Sequence, residues 1–242
     1  MKFKKIVGFG DSWIWGDELL DPNLQSHPHA HPVLLENTSY RESYCFLGQL
    51  GTHYDVPTEN FGIAGGSLTS TMWNYLWWLD HESLDPSECL VLVGLTSANR
   101  KTFYNPNHRS YGNDPEWNRY VHSAWVHFDS CYSQDWMEAV KKLTVLSDCI
   151  DQDILNYKQT VMFFEGQAAT RLSGLLQFCT INPPVKLESK SLLWPDRSLV
   201  TLINQYPNPK QYLAKQGHPN EKGHQLIAEN LIPLIDSCII KG

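Results

Sequence analysis

The sequence predicts an α/β fold, because short apolar runs of strand length alternate with amphipathic, helix-like segments and glycine-containing turns along its 242 residues. The clearest run, residues 89–94, is almost entirely apolar, which is typical of a strand buried in a parallel sheet. A second run at 4–10 leads into Gly-Asp-Ser, and an amphipathic stretch at 220–240 closes the chain. A chain of this length can bury a complete core, so we expect a single domain over residues 1–242.

Each element of the first half follows from a local pattern. Residues 4–10 are mostly apolar and stop at a glycine, as a strand does before a turn. Aromatic and aliphatic residues at helical spacing follow a threonine and a serine that can cap a helix. In order, we predict a strand at 4–10, a loop at 12–37, a helix from Thr38 or Ser39 to about His53, a strand at 55–60, a helix after Ser67 and the strand at 89–94.

The second half is less regular. Residues 100–133 are polar and aromatic with no clear period, so we interpret them as an insertion over the functional site. The patterns that follow predict a helix over 134–157, either continuous or interrupted near Asp151, and a strand over 160–165. Prolines interrupt 166–212 and predict loops, before a closing helix at 220–240. The aromatic residues of the insertion that we expect near a pocket are Tyr104, Tyr111, Trp117, Tyr120 and Trp125.

The composition limits the kinds of binding partner and the cell compartment that we expect for this protein. The 19 basic and 26 acidic residues give a net charge of −7, which disfavours nucleic acid or an anionic membrane as the main partner. No run approaches the roughly 18 apolar residues of a membrane span. The apolar stretch at 6–9 is shorter than the roughly 7–15 residues of a signal-peptide core, so we expect a cytoplasmic protein. None of the six cysteines forms a Cys-x-x-Cys pair, which favours reduced thiols, although an even number leaves one or two disulfides open.

Gly10-Asp11-Ser12 places a serine at the carboxyl end of the first predicted strand. Ligand and catalytic sites of open α/β sheets lie at that edge, and a serine there can act as a nucleophile if a base reaches it. Gly8 and Gly10 permit close approach of the backbone. A dinucleotide-binding loop is excluded, because Trp13 stands where the Gly-x-Gly-x-x-Gly motif needs its third glycine.

Two further segments carry the groups that such a serine needs. His218 precedes a proline and the closing helix and is a candidate base, whereas His224 lies inside that helix and suits the role less. Residues 62–67 place three glycines between a strand and a helix, so their N–H groups could form an oxyanion hole at a helix N-terminus. The same segment could equally be a connecting loop in which Ser67 caps the helix.

Together these motifs resemble the SGNH branch of the GDSL hydrolases. The matching residues are Gly10-Asp11-Ser12, Asn60-x-Gly62-x-x-Gly65 and His218-Pro219. The resemblance implies a flavodoxin-like, three-layer α/β/α sandwich with a mostly parallel five-stranded sheet. It also implies Ser12 as nucleophile, His218 as base, and the N–H groups of Ser12 and Gly65 as oxyanion donors.

The sequence departs from this family at two positions. The family's third block is Gly-x-Asn-Asp, whose asparagine is an oxyanion donor; here Thr96 occupies that position and Asn99 follows three residues later, so either could donate. The family's triad aspartate stands three residues before the histidine, where this chain has Lys215. A histidine base still needs a partner on its other ring nitrogen. A backbone carbonyl, a water or a distant acid such as Asp196 could serve.

Two other groups of side chains suggest binding. Trp13 and Trp15 follow the first strand, where they could line a substrate pocket. His27, His29 and His31 alternate in a proline-rich segment, and alternating histidines in an extended chain can bind a metal. No nearby cysteine or acid completes a ligand set, so we expect no metal and no cofactor.

The sequence thus predicts a serine hydrolase that cleaves carboxylic esters, with a small-molecule or carbohydrate ester of short acyl (acetyl) type as substrate. The alternative is a catalytically impaired binding or structural module of the same fold, with a tryptophan-rich pocket for a glycan or another ligand. Thr96 and Lys215, at the two altered positions, favour this alternative. Short strands and the lack of a signal-peptide core resemble intracellular or virus-encoded members of the family. Nothing in the sequence sets the oligomeric state.

Overall fold

The computed structural model describes residues 3–25, 34–104, 120–122, 138, 142, 149–170 and 174–240. The strands among them are β1 (Lys5–Gly10), β2 (Thr58–Gly62), β3 (Cys89–Leu95), β4 (Thr102–Tyr104), β5 (Tyr120–His122) and β6 (Gly174–Cys179). The α-helices are α1 (Ser12–Trp15), α2 (Thr38–Tyr44), α3 (Phe46–Tyr54), α4 (Leu68–His81), α5 (Ile150–Thr170), α6 (Leu199–Asn204) and α7 (Glu221–Ile240).

The centre of the fold is a parallel sheet in the order β2–β1–β3–β6. Within the described residues this sheet has four strands, so the expectation of five was wrong for this part of the chain. Beyond β6, Leu192 and Ser198 make only isolated parallel bridges to it. Three prolines, Pro183, Pro184 and Pro195, lie in this stretch, and a proline has no N–H to donate to a strand ladder.

Two apolar layers cover the sheet and make an α/β/α sandwich. Alternate residues of a strand point to opposite faces. Ile6 accordingly lies in the core cluster that includes residues of α3, α6 and α7, whereas Val7 lies in the cluster that includes residues of α4 and α5. All of β3 is buried, which explains its continuous apolar sequence. The predicted fold class is confirmed, and the single domain over 1–242 stays a prediction.

The prediction of a strand over 160–165 was wrong, whereas residues 150–157 of the helix predicted over 134–157 are helical. Residues 150–170 form one helix, α5, and the next strand is β6. A short apolar run has the same appearance in a buried helix and in a buried strand. The buried residues of α5 recur at helical spacing and are Asp153, Tyr157, Thr160, Val161 and Phe164. Most of residues 134–148 lie outside the described part of the chain.

The helix predicted from 38 to 53 is divided in two. Cys45 has an extended backbone with ψ of 154° and separates α2 from α3. Asn37, rather than a threonine or serine, stands at the cap position of α2. By contrast, α4 begins directly after Ser67, which forms a capping box with Ser70.

Of the predicted insertion at 100–133, the structure describes residues 100–104 and 120–122. There β4 and β5 pair as a two-stranded antiparallel ribbon. The aromatic side chains expected near a pocket and the histidine segment at 26–33 lie outside the described part. Among the residues that are described, no helix is long and apolar enough to cross a membrane, and no three metal-binding side chains cluster together.

Candidate active site

Ser12 is held at the carboxyl end of β1 by a tight turn. Asp11 caps α1, because its Oδ1 accepts a hydrogen bond from the Trp13 N–H at 3.1 Å, and α1 begins at Ser12. Gly10 has a φ of 152°, and a Cβ there would lie 2.6 Å from the Ile14 side chain and 2.7 Å from the Gly94 carbonyl oxygen. Only glycine therefore lets β1 pass so close to β3 immediately before the serine.

His218 reaches this serine from the other end of the chain. Its Nε2 lies 2.9 Å from Ser12 Oγ. The loop that carries it is fixed just before α7, since the Ala214 N–H donates to the His218 carbonyl oxygen at 2.8 Å. The structure therefore brings together the serine and the histidine that the two terminal motifs predict.

Glu18 contacts the opposite ring nitrogen of His218. Its Oε2 lies 3.1 Å from His218 Nδ1 and also accepts a hydrogen bond from the His218 N–H at 3.0 Å. Its Oε1 accepts from the Gln216 N–H at 2.7 Å. An ionised carboxylate only accepts hydrogen bonds, so Nδ1 carries the proton and Nε2 is left to accept from the Ser12 hydroxyl.

Sequence reasoning missed Glu18. Lys215 and Asp196, the two positions considered for an orienting acid, are both exposed. Glu18 instead follows α1 in the loop that leaves the serine turn, and the only signal for it is a pair of adjacent acids, Asp17 and Glu18, close behind the serine in sequence. Asp17 Oδ2 lies 3.7 Å from His218 Nε2, so a carboxylate stands near each ring nitrogen.

The glycine loop after β2 adjoins the serine turn. The Ile63 N–H donates to the Gly10 carbonyl oxygen at 2.9 Å, which ties this loop to the end of β1. Gly65 has a φ of 73°, a conformation that favours glycine. The loop ends at Ser67, where α4 is capped.

Thr96 and Asn99, the alternatives for a further donor, have different environments. Thr96 is 3% exposed, and its hydroxyl has no hydrogen-bond partner within the described ranges. Asn99 is exposed, and its Oδ1 accepts a hydrogen bond from the Ser97 hydroxyl at 2.7 Å. A buried hydroxyl without a partner is costly, which makes Thr96 the more unusual of the two.

The two tryptophans after β1 do not share one environment. Trp13 is 6% exposed and belongs to the core cluster of α3, α6 and α7, so the structure places it in the core. Trp15 is partly exposed, and the Arg41 guanidinium lies 4.0 Å from its ring centroid. Of the pair, only Trp15 has enough free surface to line a pocket.

No family model and no curated protein matches this chain. Solved structures do resemble it. A protein from Desulfitobacterium hafniense DCB-2, described as lipolytic and of the G-D-S-L family, is 12% identical, with a TM-score of 0.44 and coverage of 93% of this chain and 96% of its own. An α/β hydrolase enzyme from the metagenome of Lake Arreo is 16% identical, with a TM-score of 0.49 and coverage of 98% and 97%.

A lipase/acylhydrolase from Enterococcus faecalis is 14% identical, with a TM-score of 0.43 and coverage of 98% of this chain and 96% of its own. The structural neighbours thus include lipolytic proteins of the G-D-S-L family and a lipase/acylhydrolase. Because these identities are only 12% to 16%, the roles of individual residues in this chain are assigned from the distances and contacts of its own structure.

Proposed function

We propose that this protein is a serine esterase in which Ser12 is the nucleophile, His218 the general base and Glu18 the acid that orients the histidine. The observation that carries the proposal is the chain of hydrogen bonds from Ser12 Oγ to His218 Nε2 at 2.9 Å and from His218 Nδ1 to Glu18 Oε2 at 3.1 Å. A nucleophile, a base within reach of it and a third group that orients the base are the parts that covalent acyl transfer requires.

The reaction takes place in two stages. His218 Nε2 takes the proton of Ser12 Oγ as that oxygen attacks the carbonyl carbon of the ester. The same nitrogen then gives the proton to the departing alcohol, which leaves an acyl group on Ser12. A water molecule, deprotonated by His218 in turn, attacks this acyl group and releases the carboxylic acid, with Ser12 regaining its proton. Throughout, the Glu18 carboxylate stabilises the imidazolium.

The negative oxygen of each tetrahedral intermediate needs donors fixed in advance. We assign this role to the backbone N–H groups of Ser12 and Gly65, which lie on adjoining loops at the end of the sheet. Thr96 and Asn99 are both kept as alternatives for a third donor. The Thr96 hydroxyl lacks a partner in the described part of the chain but is enclosed by protein, so it would have to become accessible to reach the oxyanion. Asn99 is exposed, and its bond to Ser97 uses its Oδ1, which leaves its amide N–H groups able to donate.

The substrate we infer is a short acyl ester of a small molecule or a carbohydrate. Trp15 is partly exposed, with the Arg41 guanidinium over one face of its ring, and we assign its remaining exposed surface to packing against such a group. The lack of an acid at position 215 favours a non-catalytic binding module, but Glu18 contacts the ring nitrogen that such an acid would contact, which favours the catalytic alternative.

Replacing Ser12 with alanine tests the proposal. Hydrolysis of p-nitrophenyl acetate by Ser12→Ala should fall by roughly 10⁴-fold or more, with the thermal unfolding midpoint unchanged, because only the nucleophile is removed. The matched control is Ser43→Ala, an exposed serine on α2, which should keep full activity. Wild-type protein that is inert on every short acyl ester, or a folded Ser12→Ala variant as active as wild type, would overturn the assignment.

A further inference from the structure

We propose that Arg100 is a positioning residue that holds the serine turn and the oxyanion loop in register through a single guanidinium group. This inference rests on the proposed esterase function and adds to it a residue that the sequence motifs do not contain. Arg100 follows β3 and leads into the ribbon of β4 and β5.

The Arg100 guanidinium bridges the two loops that the chemistry needs. Its Nη1 lies 3.4 Å from Asp11 Oδ2 and 3.3 Å from the Gly66 carbonyl oxygen. Asp11 directly precedes the nucleophile, and Gly66 directly follows the assigned donor Gly65. A shift of either loop would therefore change the separation of nucleophile and oxyanion donor, and Arg100 adds a side-chain link to the Ile63–Gly10 backbone hydrogen bond that also joins these loops.

The buried carboxylate of Asp11 needs the positive charge of Arg100 to offset its loss of hydration. Its side chain is completely buried, and its Oδ1 is engaged in capping α1. Its Oδ2 accepts a hydrogen bond from the Thr180 hydroxyl at 2.9 Å and is paired with Arg100, whose side chain is 22% exposed. A buried carboxylate left without its cation is strongly unfavourable, so the turn would rearrange to hydrate it.

The next two residues provide a comparison within the same segment. Lys101 Nζ makes an ion pair with Asp153 Oδ1 of α5 at 2.7 Å. The Thr102 hydroxyl lies 2.5 Å from the Ser67 hydroxyl at the start of α4. Three consecutive residues thus fasten the base of the ribbon to three different elements, but only Arg100 reaches the serine turn.

These contacts predict a specific kinetic pattern. Arg100→Ala should lower kcat for p-nitrophenyl acetate by about 10²-fold, the size expected for a displacement of about 1 Å in a catalytic group, with little change in KM. Arg100→Lys should retain an intermediate kcat, because it keeps the charge but loses the planar fork. Lys101→Met removes the neighbouring ion pair, so it should lower stability while leaving kcat close to wild type.

Chemical rescue separates positioning from general stability. Guanidinium chloride at a non-denaturing concentration should restore part of the kcat of Arg100→Ala, whereas sodium chloride at the same concentration should not. The proposal is overturned if Arg100→Ala keeps a wild-type kcat, or if Lys101→Met loses as much kcat as Arg100→Ala. It is also overturned if Arg100→Lys has no higher kcat than Arg100→Ala and added guanidinium chloride restores none of the kcat of Arg100→Ala. Wild-type protein without esterase activity would instead overturn the proposed function, so the two failures are distinguishable.

Discussion

Glu18 combines an unusual backbone with a carboxylate whose two oxygens are both engaged. Its φ of 65° lies in the left-handed region, which costs a non-glycine residue about 1 kcal/mol or more. Both oxygens accept hydrogen bonds from the loop that carries His218. Such strain persists where surrounding contacts determine the conformation, and here those contacts belong to the proposed base.

Replacing Glu18 with glutamine should lower kcat by about 10²-fold or more and change KM little. The amide neither stabilises an imidazolium nor fixes the tautomer that leaves Nε2 free, and in a serine-protease triad the analogous acid-to-amide change costs about 10⁴. Steady-state hydrolysis of p-nitrophenyl acetate measures both constants.

Lys215→Asp is the matched control for this experiment. It places an acid at the position where the resembling family has one, but Glu18 already occupies Nδ1, so kcat should stay at the wild-type level. A kcat raised by Lys215→Asp, or one unaffected by Glu18→Gln, would mean that Glu18 does not orient the ring.

At the residue scale, local motifs predicted which side chains should meet and missed the one that depends on the path of a loop. Ser12 and His218 each stand beside a glycine or proline signal, and the structure brings them together. Glu18 has no such signal, because its position depends on the backbone turn at the end of α1. The difference between Thr96 and Asn99 depends on burial, which a short polar segment does not reveal.

At the scale of elements, α3 and α7 are joined by a buried histidine. His224 Nδ1 accepts a hydrogen bond from the Phe46 N–H at 3.2 Å, at the first residue of α3. Its ring stacks on that of Phe46 with centroids 5.9 Å apart. Burial, with a smaller contribution from His218, lowers the pKa of His224 to about 3, so the ring is neutral in the folded protein.

This histidine should make stability depend on pH. Between the ordinary histidine pKa of about 6.5 and the folded pKa of about 3, the unfolded chain binds a proton that the folded chain does not, so stability falls as the pH falls. From pH 7 to pH 4 the loss is on the order of 3 kcal/mol for this group. Urea unfolding at both pH values should therefore show a smaller loss for His224→Asn than for wild type, and equal losses would contradict the neutral buried ring.

Some helices and strands could be predicted from the sequence, and others could not. β3 and α4 were predictable because a long apolar run and a serine cap are strong local signals. The second half of α5 was not, since the apolar residues at 160–165 resemble a strand and only packing against the sheet shows their helical spacing. The break between α2 and α3 at Cys45 likewise could not be predicted, because no proline or glycine stands there.

At the scale of the whole molecule, strand order explains why the site lies where it does. β1 is flanked by β2 and β3, so the loop that carries Ser12 lies between the glycine loop after β2 and the Thr96 segment after β3. Parallel strands end at one edge, which brings residues distant in sequence together. The sequence predicted the α/β class, but the strand count depends on pairing beyond β6, where only isolated bridges form.

The most direct test of the central claim is covalent trapping of the nucleophile. A fluorophosphonate reagent should add one phosphonyl group per chain, and mass spectrometry of the digested protein should place it on Ser12. Labelling should be absent in Ser12→Ala and slower in Glu18→Gln, because the reaction depends on a serine activated by an oriented histidine. No adduct on Ser12, or equally fast labelling of Ser12→Ala, would contradict the account.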